Sequence, residues 1–276
     1  MTAQGSTAGR VARSFLFVPG HRPDRFAKAA ASGAHEIVLD LEDSVAPDAK
    51  AAARDAVAAW LRGGGPGLVR INAADTPWYE EDLAMLQAVA GAGVMLPKAD
   101  ALSLAHTAAA LPGRPLVALL ETVRGFMDLA AMAKLPGLVR IAFGSVDFGV
   151  DSGMADEADA MTPVRTQIVL HSRASGLAAP VDGVSVNFGD AERMHADAVR
   201  SRQLGFGGKL CIHPAQVAAV HRAFTPTEEE RAWAGRVLAA FEASAGAATA
   251  VDGKMIDLPV VEKARRIAAE AGGAAA

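Results

Sequence analysis

Short runs of apolar residues punctuate the chain, and Ala-rich segments with helical spacing fill the gaps between them. The runs are FLFV (15–18), IVL (37–39), LVRI (68–71), VML (94–96), LVALL (116–120), LVRIAF (138–143), VSVNF (184–188) and LCI (210–212). Most begin 22 to 31 residues after the one before, the length of one strand and one returning helix. The runs are nearly continuous rather than alternating, as expected of parallel strands covered on both faces. Helical spacing is clear in DAKAAARDAVAAWLR (48–62), EEDLAMLQAVA (80–90) and AERMHADAVRSRQL (191–204). Eight such units predict an α/β fold, a (β/α)8 TIM barrel, of the size usual for that architecture. Periodicity carries no information about closure, so a doubly wound open sheet is the alternative.

One interval breaks the rhythm. Between the sixth and seventh runs, GVDSGMADEADAM (149–161) precedes the helix-like TPVRTQIVLHSRAS (162–175). That stretch is too long for a simple connection and is a candidate active-site loop. After the eighth run, PTEEERAWAGRVLAAFEASAG (226–246) reads as a long helix with acids in its first turn. A short VDGKMIDLP segment and a last helix, VVEKARRIAAE, follow. The expected organisation is a disordered tail over 1–12, a barrel over 13–225 and a C-terminal helical segment over 226–276.

Composition narrows the possibilities. The formal net charge of the 276 residues is −4, which gives no electrostatic reason to expect nucleic acid or an anionic membrane as partner. No apolar run approaches the ~20 residues of a membrane helix, and the first ten residues lack the apolar core of a signal peptide. The single cysteine, Cys211, excludes an intrachain disulfide and reads as a small buried core residue. A cytoplasmic protein is expected.

In a barrel the chemistry lies at the carboxyl ends of the strands. There the second run ends in Asp40, Glu42 and Asp43, the third holds Arg70 and Asn72, and the fourth ends in Pro97 and Lys98. The fifth ends in Glu121 and Thr122, the sixth in FGSVDF with Asp147, the seventh offers Asn187, and the eighth ends in His213. Acids gathered at one face are tolerated when a cation sits between them. Oxygen ligands without clustered His or Cys point to a hard cation, Mg²⁺ with Mn²⁺ as an alternative, held by Glu121 and Asp147. Helix capping is the competing reading for each acid taken singly. Arg70, inside an apolar run, must meet a carboxylate such as Asp40 or Glu42, or an anionic ligand. Lys98, with acids nearby, is expected to stay protonated and structural. Arg22, Arg25 and Lys28, at a helix start, suit a phosphate-bearing ligand or a solvated basic face.

Taken together, RSFLFVPG (13–20), IVLDLEDSV (37–45), LVRIN (68–72), VMLPKAD (94–100), ALLET (118–122), FGSVDFGVDSG (143–153) and GFGGKLCIHPAQV (205–217) resemble the citrate lyase beta subunit-like family. That family belongs to the HpcH/HpaI aldolase/citrate lyase superfamily of citryl-, malyl- and citramalyl-CoA lyases. The resemblance runs from Arg13 to the last helix. It implies a homotrimer or a hexamer of two trimers, acting with Mg²⁺ on coenzyme A thioesters and 2-oxo acids. By motif, Glu121 and Asp147 would bind the metal, Arg70 the substrate, and Glu42 and Asp43 a metal-bound water. Arg25 and Lys28 fall, more loosely, where the family places basic residues near coenzyme A. VDGKMIDLP resembles a lid that family members lay over a neighbouring subunit's site, with Asp257 as catalytic acid/base; a helix cap is the competing reading of Asp257. The expected reaction is cleavage or formation of a 3-hydroxyacyl-CoA. A thioesterase of the same fold, an aldolase on free 2-oxo acids and a partner-dependent citrate lyase beta subunit stay open as alternatives.

Overall fold

The computed structural model describes residues 12–157, 159–244 and 247–272, with the side chains of 271 and 272 excepted. The expected N-terminal tail lies, apart from Ala12, outside the described residues. Eight strands close into a parallel barrel in sequence order: β1 (Ser14–Pro19), β2 (Glu36–Asp40), β3 (Leu68–Arg70), β4 (Gly93–Leu96), β5 (Leu116–Leu120), β6 (Leu138–Phe143), β7 (Val181–Asp182) and β8 (Gly208–Cys211). Pairing of Phe15 with Leu210 closes the ring between β1 and β8. The open-sheet alternative is thereby excluded.

Side chains from all eight strands fill the interior, among them Phe15, Val38, Leu68, Met95, Val117, Leu119, Ala142, Val181 and Leu210. Arg140 plugs the amino-terminal end. It is 1% exposed, lies over the Phe15 ring, and donates to the carbonyls of Ala12 (2.7 Å) and Ala179 (2.6 Å). Those acceptors and the ring replace the water that a buried guanidinium would otherwise need.

The helices at Lys50–Arg62, Tyr79–Ala88, Thr162–Ala174 and Ala191–Leu204 match the periodic segments to within two residues at either end. The seventh strand does not fall where the apolar run suggested. VSVNF (184–188) is a loop, and the strand is the two residues Val181 and Asp182 before it. The reason is electrostatic. Asp182, fully buried, accepts hydrogen bonds from Arg165 Nε (2.8 Å) and Ser201 Oγ, with the buried Lys209 also contributing positive charge. Locking Asp182 at the strand end leaves Val186 and Phe188 beyond it, 65% and 54% exposed.

The chain divides into two compact units, the first ending at His221 and the second starting at Arg222. In the second, the helix Glu228–Ala243 begins with a reciprocal cap: Thr227 Oγ1 accepts from the Glu230 N–H, and the Glu230 carboxylate accepts from the Thr227 N–H. The hairpin of β9 (Thr249–Val251) and β10 (Lys254–Ile256) turns through Asp252 and Gly253, both with positive φ, as a two-residue turn requires. It leads to the last helix, Leu258–Gly272. Val237, Ile256, Val261, Ala264 and Ile267 form this unit's own core. Among the described residues no helix is long and apolar enough to cross a membrane.

Candidate active site

The backbone ladder continues past the strand ends and fixes the loops that carry the acids. Leu41 N–H donates to the Arg70 carbonyl, Ala99 N–H to Leu119, and Gly144 N–H to Leu120, at 2.9, 3.2 and 2.8 Å. At this face a cavity of about 380 Å³ opens, lined by Asp40, Asp43, Arg70, Glu121 and Asp147 together with Phe17 and Ser145.

Arg70 is 8% exposed and held on three sides. Nε and Nη2 form a two-pronged ion pair with Asp40 (2.6 and 2.7 Å). Nη1 lies 2.9 Å from Glu42 Oε2 and 3.5 Å from Asp43 Oδ2, and the guanidinium stacks over Phe17, 4.7 Å from the ring centre. The ion pair expected for a buried Arg70 is therefore present, and Arg70 also faces the cavity. Burial opposes ionisation of Asp40. The Arg70 charge and the hydrogen bonds from Arg70, Ser44 and the Glu42 N–H outweigh it and hold the carboxyl below the usual range. Asp40 is thus the anchor of Arg70.

Glu42 is 5% exposed and bridges Arg70 to Lys98, whose Nζ donates to Glu42 Oε1 at 2.8 Å. Burial raises the Glu42 carboxyl despite these two cations. Asp43 is exposed at the cavity edge. Behind them, buried Lys50 donates to the carbonyls of Leu41 (2.7 Å) and Glu42 (2.8 Å) and to Asn72 Oδ1 (2.7 Å). All three ammonium donors are satisfied, and the ends of β2 and β3 are tied together. Nothing in the helical pattern around Lys50 announced this. A lysine in the first turn of a helix, where acids are favoured, was the available signal.

Glu121 is 2% exposed at the end of β5. Its Oε1 accepts from the Lys98 N–H at 2.7 Å. Burial, with the Glu42 charge adding to it, pushes its carboxyl up to about 8. Gly144 packs against it so closely that an added Cβ would lie 2.7 Å from Glu121 Oε2. Asp147 stands exposed in the first turn of the helix Ser145–Ser152, in the same cavity. The first four residues of the long polar interval, 149–152, therefore belong to that helix. The remainder of the interval is tied back through Asp156, which accepts from Ser145 Oγ at 3.1 Å.

The donor set fits a hard divalent cation. Glu121 is a buried carboxylate whose negative charge is disfavoured until positive charge arrives, and Asp147 supplies a second oxygen donor beside it. No group of three or more His, Cys, Asp or Glu side chains suited to a metal occurs among the described residues. Two carboxylates are what Mg²⁺ commonly takes from a protein.

Other residues read from the sequence fall outside this cluster. Arg25 and Lys28 are exposed on the connection leaving β1, and Arg22 pairs with Asp24 at 2.8 Å. Asn187 is exposed in the loop after β7, and His213 stacks on Phe188 with ring centres 4.9 Å apart. Asp257 lies in the second unit, where its carboxylate accepts from the Val260 N–H (3.3 Å) and caps the last helix.

A closed parallel barrel with paired carboxylates and a clamped arginine at its carboxyl end defines the molecule as a barrel enzyme. Its family is HpcH/HpaI aldolase/citrate lyase, which matches residues 13–214, and the chain belongs to it. Over 267 residues it is 39% identical to a citrate lyase subunit beta-like protein of Mycobacterium tuberculosis, covering 94% of this chain and 96% of that one. It is 34% identical over 274 residues to a (3S)-malyl-CoA thioesterase of Cereibacter sphaeroides, covering 96% of each. The crystal structure of the protein CitE from Mycobacterium tuberculosis in complex with magnesium, acetoacetate and coenzyme A superposes with a TM-score of 0.86 at 38% identity. It covers 96% of this chain and 100% of that one.

Proposed function

We propose that this protein is a Mg²⁺-dependent carbon–carbon lyase that cleaves or forms a 3-hydroxyacyl-CoA, giving acetyl-CoA and a 2-oxo acid. The observation that carries this reading is the meeting of Glu121, Asp147 and Arg70 in one cavity. The similarity to a protein crystallised with magnesium, acetoacetate and coenzyme A supports it. Glu121 and Asp147 would hold Mg²⁺, with Mn²⁺ as a substitute, while Glu42 and Asp43 face its waters. The bound ion supplies Lewis acidity and a template for the hydroxyl and carboxylate of the acyl group. Arg70, immobilised by Asp40, donates to the thioester oxygen as negative charge gathers there.

In cleavage, a base takes the hydroxyl proton and passes it to solvent, from which Asp257 is reprotonated, and the carbon that bore the hydroxyl becomes the carbonyl of the 2-oxo acid. The electrons of the broken carbon–carbon bond pass to the thioester as an enolate. Asp257 then protonates the enolate carbon to give acetyl-CoA, and in condensation it takes that proton back. This role requires the second unit of one copy to serve the site of another, so a homotrimer or hexamer belongs to the proposal. Exposed Arg25 and Lys28 would meet the phosphates of coenzyme A.

The similarity to a malyl-CoA thioesterase favours a second reading, hydrolysis of the thioester at the same site. One assay separates the two. The purified protein is mixed with Mg²⁺, acetyl-CoA and, in turn, glyoxylate, pyruvate or oxaloacetate, with and without EDTA, and the products are weighed by mass spectrometry. An EDTA-sensitive acyl-CoA identifies the lyase and its 2-oxo acid; free hydroxy acid with CoA identifies the thioesterase; no product from any mixture removes the lyase, and failure to hydrolyse added malyl-CoA removes the thioesterase. Asp257→Asn is expected to abolish turnover and leave Mg²⁺ binding intact.

A further inference from the structure

Lys98 touches two of the acids of this site in two different ways. Its backbone N–H holds Glu121 Oε1 (2.7 Å), and its ammonium holds Glu42 Oε1 (2.8 Å). It does so from a backbone conformation that side chains avoid, with φ at 46°. Among the described residues the only other non-glycine with positive φ is Asp252, which sits in a hairpin turn that demands it. Lys98 follows Pro97 in the turn that leaves β4, at a position that glycine or asparagine fills at lower cost than lysine. The chain leaves β4 through Pro97, adopts the left-handed conformation for one residue, and rejoins the ladder at Ala99, whose N–H donates to Leu119 O.

The ion pair offers little compensation in stability. The Lys98 side chain is 43% exposed, and Glu42 is already paired with Arg70. A disfavoured conformation kept for a weakly stabilising contact, at the point where two acids of a site converge, has the character of strain retained for function. We propose that Lys98 is a positioning residue for the lyase reaction: it sets the spacing of β2 and β5 by gripping Glu42 with its ammonium and Glu121 with its backbone N–H. It touches no substrate, and the assignment rests on the lyase reading above.

Three variants of the full chain separate its parts. Lys98→Ala keeps the N–H and the strained backbone and deletes only the ammonium. Lys98→Gly deletes the ammonium and also relieves the backbone. Lys98→Arg keeps a cation that reaches Glu42. Lys98→Ala is expected to lose about tenfold in kcat with KM unchanged within about twofold, an interaction felt in the transition state rather than in binding. Its Mn²⁺ affinity should stay within about threefold, because the N–H remains on Glu121. Lys98→Arg should restore kcat to within about threefold of the unsubstituted protein. Lys98→Gly should be as slow as Lys98→Ala yet melt about 2–4 °C higher.

The assignment is overturned if Lys98→Ala keeps kcat within twofold, if the arginine variant falls as far as the alanine one, or if the glycine variant melts no higher than the alanine one. The melting comparison needs no substrate. Absence of turnover in the unsubstituted protein therefore counts against the lyase reading, while equal melting of the two small variants counts against Lys98 alone.

Discussion

The ion pair between Arg70 and Asp40 is the most exacting test of how this site is held. Asp40 is 1% and Arg70 8% exposed, and two N–H···O contacts of 2.6 and 2.7 Å join them. Removing the guanidinium leaves Asp40 and Glu42 as adjacent buried anions, a situation that costs about 3–5 kcal/mol in comparable pairs. Asp40 keeps the N–H groups of Glu42 (2.9 Å) and Ser44 (3.2 Å), which places Arg70→Ala near the lower end, at about 3 kcal/mol. Asp40→Ala strips Arg70 of its two-pronged partner but leaves Glu42, and should cost about 2–3 kcal/mol. Because each single change strands the other charge, the double variant should be far less destabilised than the sum, with a coupling of about 2 kcal/mol. The assay is urea unfolding followed by tryptophan fluorescence in a Trp233→Phe background. Only Trp60 and Trp78, both in the barrel, then report. Additive single effects, with coupling below about 0.5 kcal/mol, would show that water screens the pair and that Arg70 is not anchored by Asp40.

Gly144 has an ordinary backbone (φ −89°), so Gly144→Ala acts only by pushing its Cβ against Glu121; calorimetric Mg²⁺ affinity should fall at least about tenfold, and an unchanged affinity would dismiss the packing argument. Asp182→Asn removes the buried anion between Arg165 and Lys209, leaving Arg165 only Asp156 at 3.8 Å and Lys209 only the charge of Asp197, and should cost about 3 kcal/mol in urea unfolding, against less than about 1 if the cluster is solvated. His221, half-buried against His35 with its Nε2 2.8 Å from Ser14 Oγ, is lowered to about 4, burial leading and the charges of His35 and Arg13 adding to it. Its ordinary value is near 6.5, so the native state refuses a proton that the unfolded chain accepts. The contribution is full above pH 6.5 and is lost as pH falls towards 4, about 1–2 kcal/mol after allowance for its partial exposure. Unfolding titrations at pH 7.5 and 4.5 should show that His221→Gln flattens this slope, and an unaltered slope would exclude His221 as its source.

The strands that alternate least were the easiest to read. LVALL and LVRIAF are β5 and β6 residue for residue, because a strand buried on both faces is apolar nearly throughout, Arg140 being the one charge in either. The seventh strand was misread because its determinant is not apolar. Asp182 is fixed by Arg165, Ser201 and Lys209, 17, 19 and 27 residues away in the sequence, and no local pattern encodes such a meeting. At the site, residue types at strand ends were legible because closure brings every strand end to one rim. Their partners were legible only as alternatives: the sequence offers Asp40 and Glu42 equally to Arg70, and geometry gives the two-pronged contact to Asp40 and one nitrogen to Glu42. Lys50 and Lys98 show the same limit from the other side. A long flexible cation reveals its acceptors only once the chain is folded.

The plug formed by Arg140 at the foot of the barrel has a kinetic consequence. With the foot filled, the cup has a single doorway, and whatever enters first is overlaid by whatever enters second. Under the lyase reading, the small 2-oxo acid lies at the bottom and the bulky thioester closes over it, so departure must reverse the order of arrival. Product-inhibition plots should then be those of an ordered rather than a random sequence: acetyl-CoA, first to leave, would fail to compete with the hydroxyacyl-CoA, while the 2-oxo acid, last to leave, would compete with it directly.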